Sequence, residues 1–261
     1  MDQHEQMEFF YEIFDASLPR LGPGDDLSTR KALTMLLSTR PRIGNAADTP
    51  ELRILDIGCG NGAQTIQLAK YANGSIVALD NHQPFLDELQ RHAEAEGVSQ
   101  KIRPYLKDMH DMGLGKSSFD MIWAEGSLFI IGFREGLKAC YDLLISGGLL
   151  AASELSWLRP DPPAECGTFF ANVYPAMTDI ETNISCIKSC GYEVLGNFTL
   201  PESAWWEPYY HPMEERLQTL RKKYAEDPDR MGMIESIQKE IDIYRRYSDY
   251  YGNVFYLMRR R

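Results

Sequence analysis

No stretch of this chain reaches about 18 consecutive apolar residues, the length a membrane-spanning helix needs, so no span is expected. Basic charge is also scarce: 27 Lys and Arg stand against 38 Asp and Glu, leaving a net charge of −11. Such a surface repels phosphate backbones, which makes nucleic acid a poor expectation as a partner. Cysteine is sparse and odd in number, with five thiols at Cys59, Cys140, Cys166, Cys186 and Cys190. A chain of 261 residues, 44% hydrophobic, has core enough to need no covalent staples, which points to a reducing cytoplasmic setting. Cys186 and Cys190 share a helical face but have no further ligands spaced nearby, so no metal is expected. The opening MDQHEQMEFF has no basic segment leading into an apolar one, so no signal peptide is expected. Internal repeats and low-complexity tracts are missing too.

What is present is a change of rhythm near residue 50. Before it, Met7, Phe10, Phe14 and Leu18 fall at helical spacing, and PRLGPGDD breaks that helix. Asp25 or Asp26 then offers an N-cap for a helix over about 27–39, followed by a linker, PRIGNAADTP. From residue 52, short β-rich runs alternate with helices. LRILDI, SIVALD, KIRPYLK, FDMIWA and LLAASEL read as strands. Short links between them indicate a parallel, doubly wound α/β sheet with right-handed crossovers. Beyond 155 the rhythm loosens. WLRPDPPAE reads as a rigid Pro-rich loop, 178–190 as a helix, YEVLGNFTL as a strand and NVFYLMR as a closing strand. The stretch 201–249 is too long for a plain connection and carries its own helical patterns, so it is expected to form a cap. The expected core is therefore about 50–155, 190–200 and 250–261, in one domain with cap elements at about 1–45, 156–189 and 201–249.

The chemistry concentrates in LDIGCGNGAQT, directly after the first of these strands. Gly58, Gly60 and Gly62 let the backbone turn sharply and approach a ligand closely. The next helix then aims its N-terminal N–H groups at that ligand. Gly58-x-Gly60-x-x-Ala63 also satisfies the dinucleotide pattern, with Asp80 about 20 residues on, where a ribose-binding acid belongs. Against a nicotinamide cofactor stands Asp56, inside the strand, where a carboxylate meets a pyrophosphate badly. Asp108, followed by Met109, ends the third strand. Acids at three successive strand ends suit a ligand with a cation at one end, ribose hydroxyls in the middle and an adenine amine at the other.

Here the sequence resembles the class I S-adenosylmethionine (SAM) methyltransferases. LDIGCGNG matches their first motif, ALDN the end of the second strand, and LKDMHDM the end of the third. FDMIWAEGSLF matches the fourth strand and LLISGGLLAASE the turn into the fifth. The resemblance implies a seven-stranded Rossmann-like sheet whose last strand is antiparallel, and methyl transfer from SAM. It implies that Gly58 and Gly60, with Gly62 behind them, line the methionine portion. Asp80, with Asn81 beside it, would bind the ribose, and Asp108 and Met109 would flank the adenine. The wider pattern resembles the branch containing the ubiquinone/menaquinone-biosynthesis C-methyltransferases. FIIGFREG stands where that branch has a GIRN-type segment and lacks its asparagine, which argues against a quinone precursor.

Each residue has a plainer reading beside the functional one. Asp80 suits a strand-end cap, and Asp56 suits the backbone N–H groups of the turn, touching the cofactor only indirectly. Arg20, by default an exposed arginine, stands near Gly22-Pro23-Gly24 and could reach the SAM carboxylate. Trp205, Trp206, Tyr209, Tyr210 and His211 form either a small core for the cap or a lid over an apolar or aromatic substrate pocket. Tyr11 and its aromatic neighbours raise the same choice, with the N-terminal helix expected over the cofactor mouth. Glu125 ends an apolar strand and could cap a turn or bind backbone amides; the functional expectation is that it faces the reaction, as a base, an orienting group or a cofactor contact. Gly126 would leave room beside it. The partner expected is a small apolar or aromatic molecule, with self-association through the aromatic cap left open.

Overall fold

Eight apolar-rich segments among the described residues assemble one sheet, parallel over most of its width and antiparallel at one edge. The computed structural model describes residues 1–40 and 50–261, so the expected linker lies outside the described residues except for Pro50. β1 (Leu52–Ile57) pairs in parallel with β2 (Gly74–Asp80), and β2 with β3 (Ile102–Leu106). The chain then returns to the other side of β1 as β4 (Phe119–Glu125), which pairs with β5 (Leu144–Trp157). β6 (Thr178–Asp179), only two residues long, pairs with β5 off the main path. β7 (Tyr192–Thr199) and β8 (Tyr251–Arg260) complete the order β3-β2-β1-β4-β5-β8-β7, with β8 antiparallel to both neighbours. The doubly wound seven-strand arrangement expected from the sequence is thus present, with β6 as an added eighth strand.

Strand alternation sends side chains to two faces. On one, Ile54, Trp123, Ala151 and Phe255 pack under α2 (Asp26–Ser38) and α3 (Ala63–Tyr71). Asp25 caps α2 by accepting from the Ser28 N–H. On the other face, Leu55, Ile122, Ala152 and Tyr256 pack with Leu137 of α5 (Phe133–Leu143) and Ile187 of α7 (Ile180–Ser189). α4 (Gln83–Ala95) flanks β2 and β3.

The cap has its own core. α1 (Gln3–Ile13), α6 (Ala164–Val173), α8 (Ser203–Trp205), α9 (His211–Lys223) and α10 (Pro228–Tyr247) bury Phe9, Phe170, Trp205, Leu217 and Ile241 together. α6 is a helix the sequence reading did not assign: its apolar stripe, Cys166, Phe169 and Phe170, is only one turn long behind a run of prolines. Between α8 and α9 the chain winds as a π turn over Trp206–Tyr210, closed by the His211 N–H donating to the Trp206 carbonyl. Pro208 sits inside it. Proline has no N–H to give and its ring crowds the preceding turn, so the helix widens there. Among the described residues, no helix is long and apolar enough to cross a membrane.

Candidate cofactor and acceptor site

The strand order reverses between β1 and β4, and the crevice outside the carboxyl ends of these strands is where an open α/β sheet binds ligands. The glycine turn fills that position. Gly58 has φ +69° and Gly60 φ +53°, values a side chain rarely adopts. The N–H groups of Gly58 and Cys59 both donate to the Leu79 carbonyl, at 2.8 and 3.0 Å, tying the turn to the end of β2. A Cβ on Gly58 would stand 2.6 Å from Ser127 Cβ and 3.4 Å from Met109 Cε. One on Gly60 would stand 3.0 Å from Leu21 Cδ1. The turn is therefore touched from three directions, by residues following β3 and β4 and by the N-terminal segment. Gly62 precedes α3 with no side chain capping the helix, which leaves its first N–H groups to the crevice.

Asp80 is buried at the end of β2. It accepts from the Gly60 N–H at 2.9 Å and the His82 N–H at 3.0 Å, and burial raises its pKa above the usual carboxylate range. The exposed Asn81 follows, and Tyr11 of α1 reaches it, donating to Asn81 Oδ1 at 3.4 Å while its ring stacks on His82 at 3.6 Å. Asn61 fixes the same N-terminal segment, donating to the carbonyls of Ala16 at 3.1 Å and Leu18 at 2.6 Å. The N-terminal helix and the loop after it thus lie across the glycine turn and the end of β2. Asp108 is exposed and accepts from both the backbone N–H and Nδ1 of His110, which lowers its pKa.

Three charged residues are placed differently from the sequence reading. Asp56 is fully buried and does not take the turn's N–H groups; it accepts from Thr65 Oγ1 at 2.6 Å and, more loosely, Gln64 Nε2. Both donors lie on α3, below the turn. Desolvation pushes its pKa to about 7. Glu125 does not face the crevice as a free acid. Alternation puts its side chain on the same face as Trp123, only 3% exposed beneath the N-terminal segment. There it meets Arg20 Nη1 at 2.9 Å, Thr29 Oγ1 at 3.0 Å and Trp123 Nε1 at 3.0 Å. Burial raises its pKa and Arg20 is the main opposing influence. Arg20 is accordingly not an exposed arginine; it is buried and also pairs with Asp26 at 3.0 Å.

The aromatic cluster divides. Trp205 stacks on Tyr244 at 4.2 Å inside the cap, and Tyr209 is buried beside Tyr210. Trp206 is half-buried under the Arg245 guanidinium, and His211 is exposed. A cleft of about 470 Å³ does run between the cap and the glycine turn, but its walls include Arg20, Asp26, Ala63, Ser203, Glu207 and Pro208 rather than these aromatics. Sequence reasoning missed Ser127, His82 and Asn61, each adjacent to a residue it did single out. It also missed Glu154, which ends an apolar run just as Glu125 does.

Residues 54–148 match the family model described as a methyltransferase domain. With the switch-point turn, the acids at the strand ends and the antiparallel β8, the match places a methyltransferase domain over residues 54–148, on a Rossmann-like methyltransferase sheet. A SAM-dependent methyltransferase from Thiobacillus denitrificans, solved with S-adenosyl-L-homocysteine, shares the fold at a TM-score of 0.78 and 17% identity, covering 97% of this chain and 98% of that one. The [4+2]-cyclase SpnF shares it at 0.70 and 16% identity, over 99% and 95%. Among curated proteins, the sterol 24-C-methyltransferase of Aspergillus fumigatus is 26% identical over 172 residues, 62% of this chain. That alignment spans 45% of the fungal protein, so the chain matches under half the length of this relative.

Proposed function

We propose that the chain transfers a methyl group from SAM to a small acceptor held between the sheet's carboxyl edge and the cap. The convergence of Gly58, Asp80, Met109 and Ser127 at the switch point carries this reading. A glycine turn packed so closely on Ser127 that Gly58 admits no Cβ, an uncapped helix start and a buried strand-end carboxylate all fit SAM. Bound there, SAM supplies a methyl already activated on a sulfonium, so no side chain need activate the donor.

The chain's own residues then align and shield. Asp80, with Asn81 beside it, accepts from the ribose hydroxyls; Asp108 and Met109 hold the adenine. Gly58, Gly60 and Gly62 admit the methionine portion, and Asp56 supports the turn from below through α3. Arg20, fixed by Glu125 and Asp26, offers its guanidinium to the cofactor carboxylate. Glu125 thereby acts as a positioning residue, since a carboxylate already engaged with three donors is poorly placed to take a proton. SAM would supply the methyl for an in-line displacement by the acceptor's lone pair, with sulfur keeping the electrons of the broken bond; these residues would hold donor and acceptor in line, and any proton on the acceptor atom would pass to water. Alignment and exclusion of water account for most of the rate in such a displacement.

A small apolar or aromatic acceptor suits the cap, where α1 and the 203–210 segment overhang the crevice. The sterol relatives favour an apolar acceptor, and Tyr11, Trp206 and His211 are the cap side chains assigned to it. Titration calorimetry with SAM, its demethylated product and NAD tests the cofactor. Binding of NAD without SAM would end this reading; binding of SAM with no turnover of its labelled methyl against a metabolite extract would leave a binder rather than an enzyme.

A further inference from the structure

On the opposite side of β5 from the Arg20–Glu125 pair lies a second acid with a different fate. Glu154 follows Ser153, the residue that stands beside Glu125 in the β4–β5 ladder. Its side chain therefore turns to the other face of the sheet. It is 3% exposed. Tyr174 donates its hydroxyl to Oε1 at 2.5 Å, while Oε2 is buried with no hydrogen-bond partner among the described residues. A buried carboxylate oxygen left without a partner is costly, so it calls for an explanation.

The explanation is next to it. A cleft of about 400 Å³ is walled by Glu154, Leu155, Gly132, Phe133, Tyr174 and Asn183. Gly132 and Phe133 belong to the segment that leaves Gly126 and Ser127 at the end of β4, so the cleft adjoins the edge where the methyl would be delivered. Phe129, on the same segment and half exposed, packs edge-on against Tyr174 with ring centres 6.0 Å apart. Among the described residues, no basic side chain hydrogen-bonds or ion-pairs with Glu154. Arg134, also on the wall, is turned to Ser189 Oγ at 3.1 Å, and Asn183 spends its amide on Ser156 and Tyr256. Desolvation, opposed chiefly by the Tyr174 bond, lifts the Glu154 pKa to about 7. A cation brought into the cleft would satisfy the open oxygen and rest against the aromatic faces of Tyr174 and Phe133.

We propose that Glu154 and this cleft bind an organic amine, its ammonium group held by the open carboxylate oxygen and its apolar body between Phe133, Leu155 and Tyr174. Calling that amine the methyl acceptor rests on the function proposed above; the binding itself does not. An ammonium has no lone pair, so it is the handle by which the acceptor is recognised, and the methylated atom is another.

The test uses 2-phenylethylamine and its neutral counterpart 2-phenylethanol, titrated at pH 8 into the full chain saturated with the demethylated cofactor product. The amine is expected to bind at least tenfold more tightly than the alcohol. Glu154→Gln should abolish that preference and leave SAM affinity unchanged. Equal affinities, no binding of either probe, or a preference that survives in Glu154→Gln would overturn the proposal. The two-probe comparison on the unaltered chain decides even if the variant fails to fold. Loss of SAM binding by the unaltered chain would sink the methyltransferase reading instead, and repeating the two titrations without cofactor product would still judge the amine site.

Discussion

Arg20 and Glu125, 105 positions apart in the chain, meet in a buried ion pair at 2.9 Å, with side-chain exposures of 7% and 3%. The pair fastens the loop after α1 to the end of β4, and so holds the cover of the glycine turn in place. Removing one partner leaves an uncompensated buried charge, which costs about 3–5 kcal/mol, whereas removing both costs much less. Arg20→Met is therefore expected to lower the melting temperature sharply, and the double variant Arg20→Met/Glu125→Gln to recover much of the loss. Thermal denaturation of the two singles and the double measures it; strictly additive losses would mean that the two residues act independently.

Asp80 receives two backbone N–H groups and has a carboxylate left to offer the ribose. Asp80→Asn keeps the shape and removes the charge. SAM affinity should fall by about 1.5–3 kcal/mol, roughly 10- to 150-fold, the range for hydrogen bonds to a charged group. An unchanged dissociation constant by calorimetry would place the ribose elsewhere.

Asn61 is the bolt between the glycine turn and residues 16–18. Asn61→Ala removes two buried hydrogen bonds and should destabilise the chain by about 1–3 kcal/mol. It should also raise protection-factor losses selectively in the N-terminal segment when amide exchange is followed by mass spectrometry. Uniform exchange across the sheet would show that the segment is held by other contacts.

Asp56 and Glu154 both have folded-state pKa values of about 7, well above their ordinary 3.8 and 4.5. Between those limits the folded chain holds protons that the unfolded chain has released. Their contribution is fully present below the ordinary values and is lost as pH rises through about 7, so the cofactor-free chain should become less stable from about pH 4.5 to 7.5. Glu154→Gln should flatten that slope. Chemical denaturation across the interval checks the sign, and a slope equally steep in Glu154→Gln would remove Glu154 from the account.

Local pattern made much of this molecule legible. The alternation of strands and helices over 52–155 needs only nearest-neighbour periodicity, and it specified the parallel sheet. The glycines at 58, 60 and 62 needed only the knowledge that such a turn excludes a Cβ, and the acids at 56, 80 and 108 were marked by lying at or near the ends of three successive strands. α6 escaped because one turn of apolar spacing behind prolines is too short a signal.

The two glutamates show where sequence stops. Glu125 and Glu154 look alike in the chain: each follows an apolar run and stands next to a small residue. The sequence determined that both would lie at the sheet's carboxyl edge. Only the tertiary structure decided that one turns toward α2, where Arg20 and Thr29 reach it, and the other toward a cleft with a single tyrosine donor. A carboxylate's behaviour in a low-dielectric interior depends on which distant segment supplies its partner, and no local pattern records a partner that lies 105 residues away.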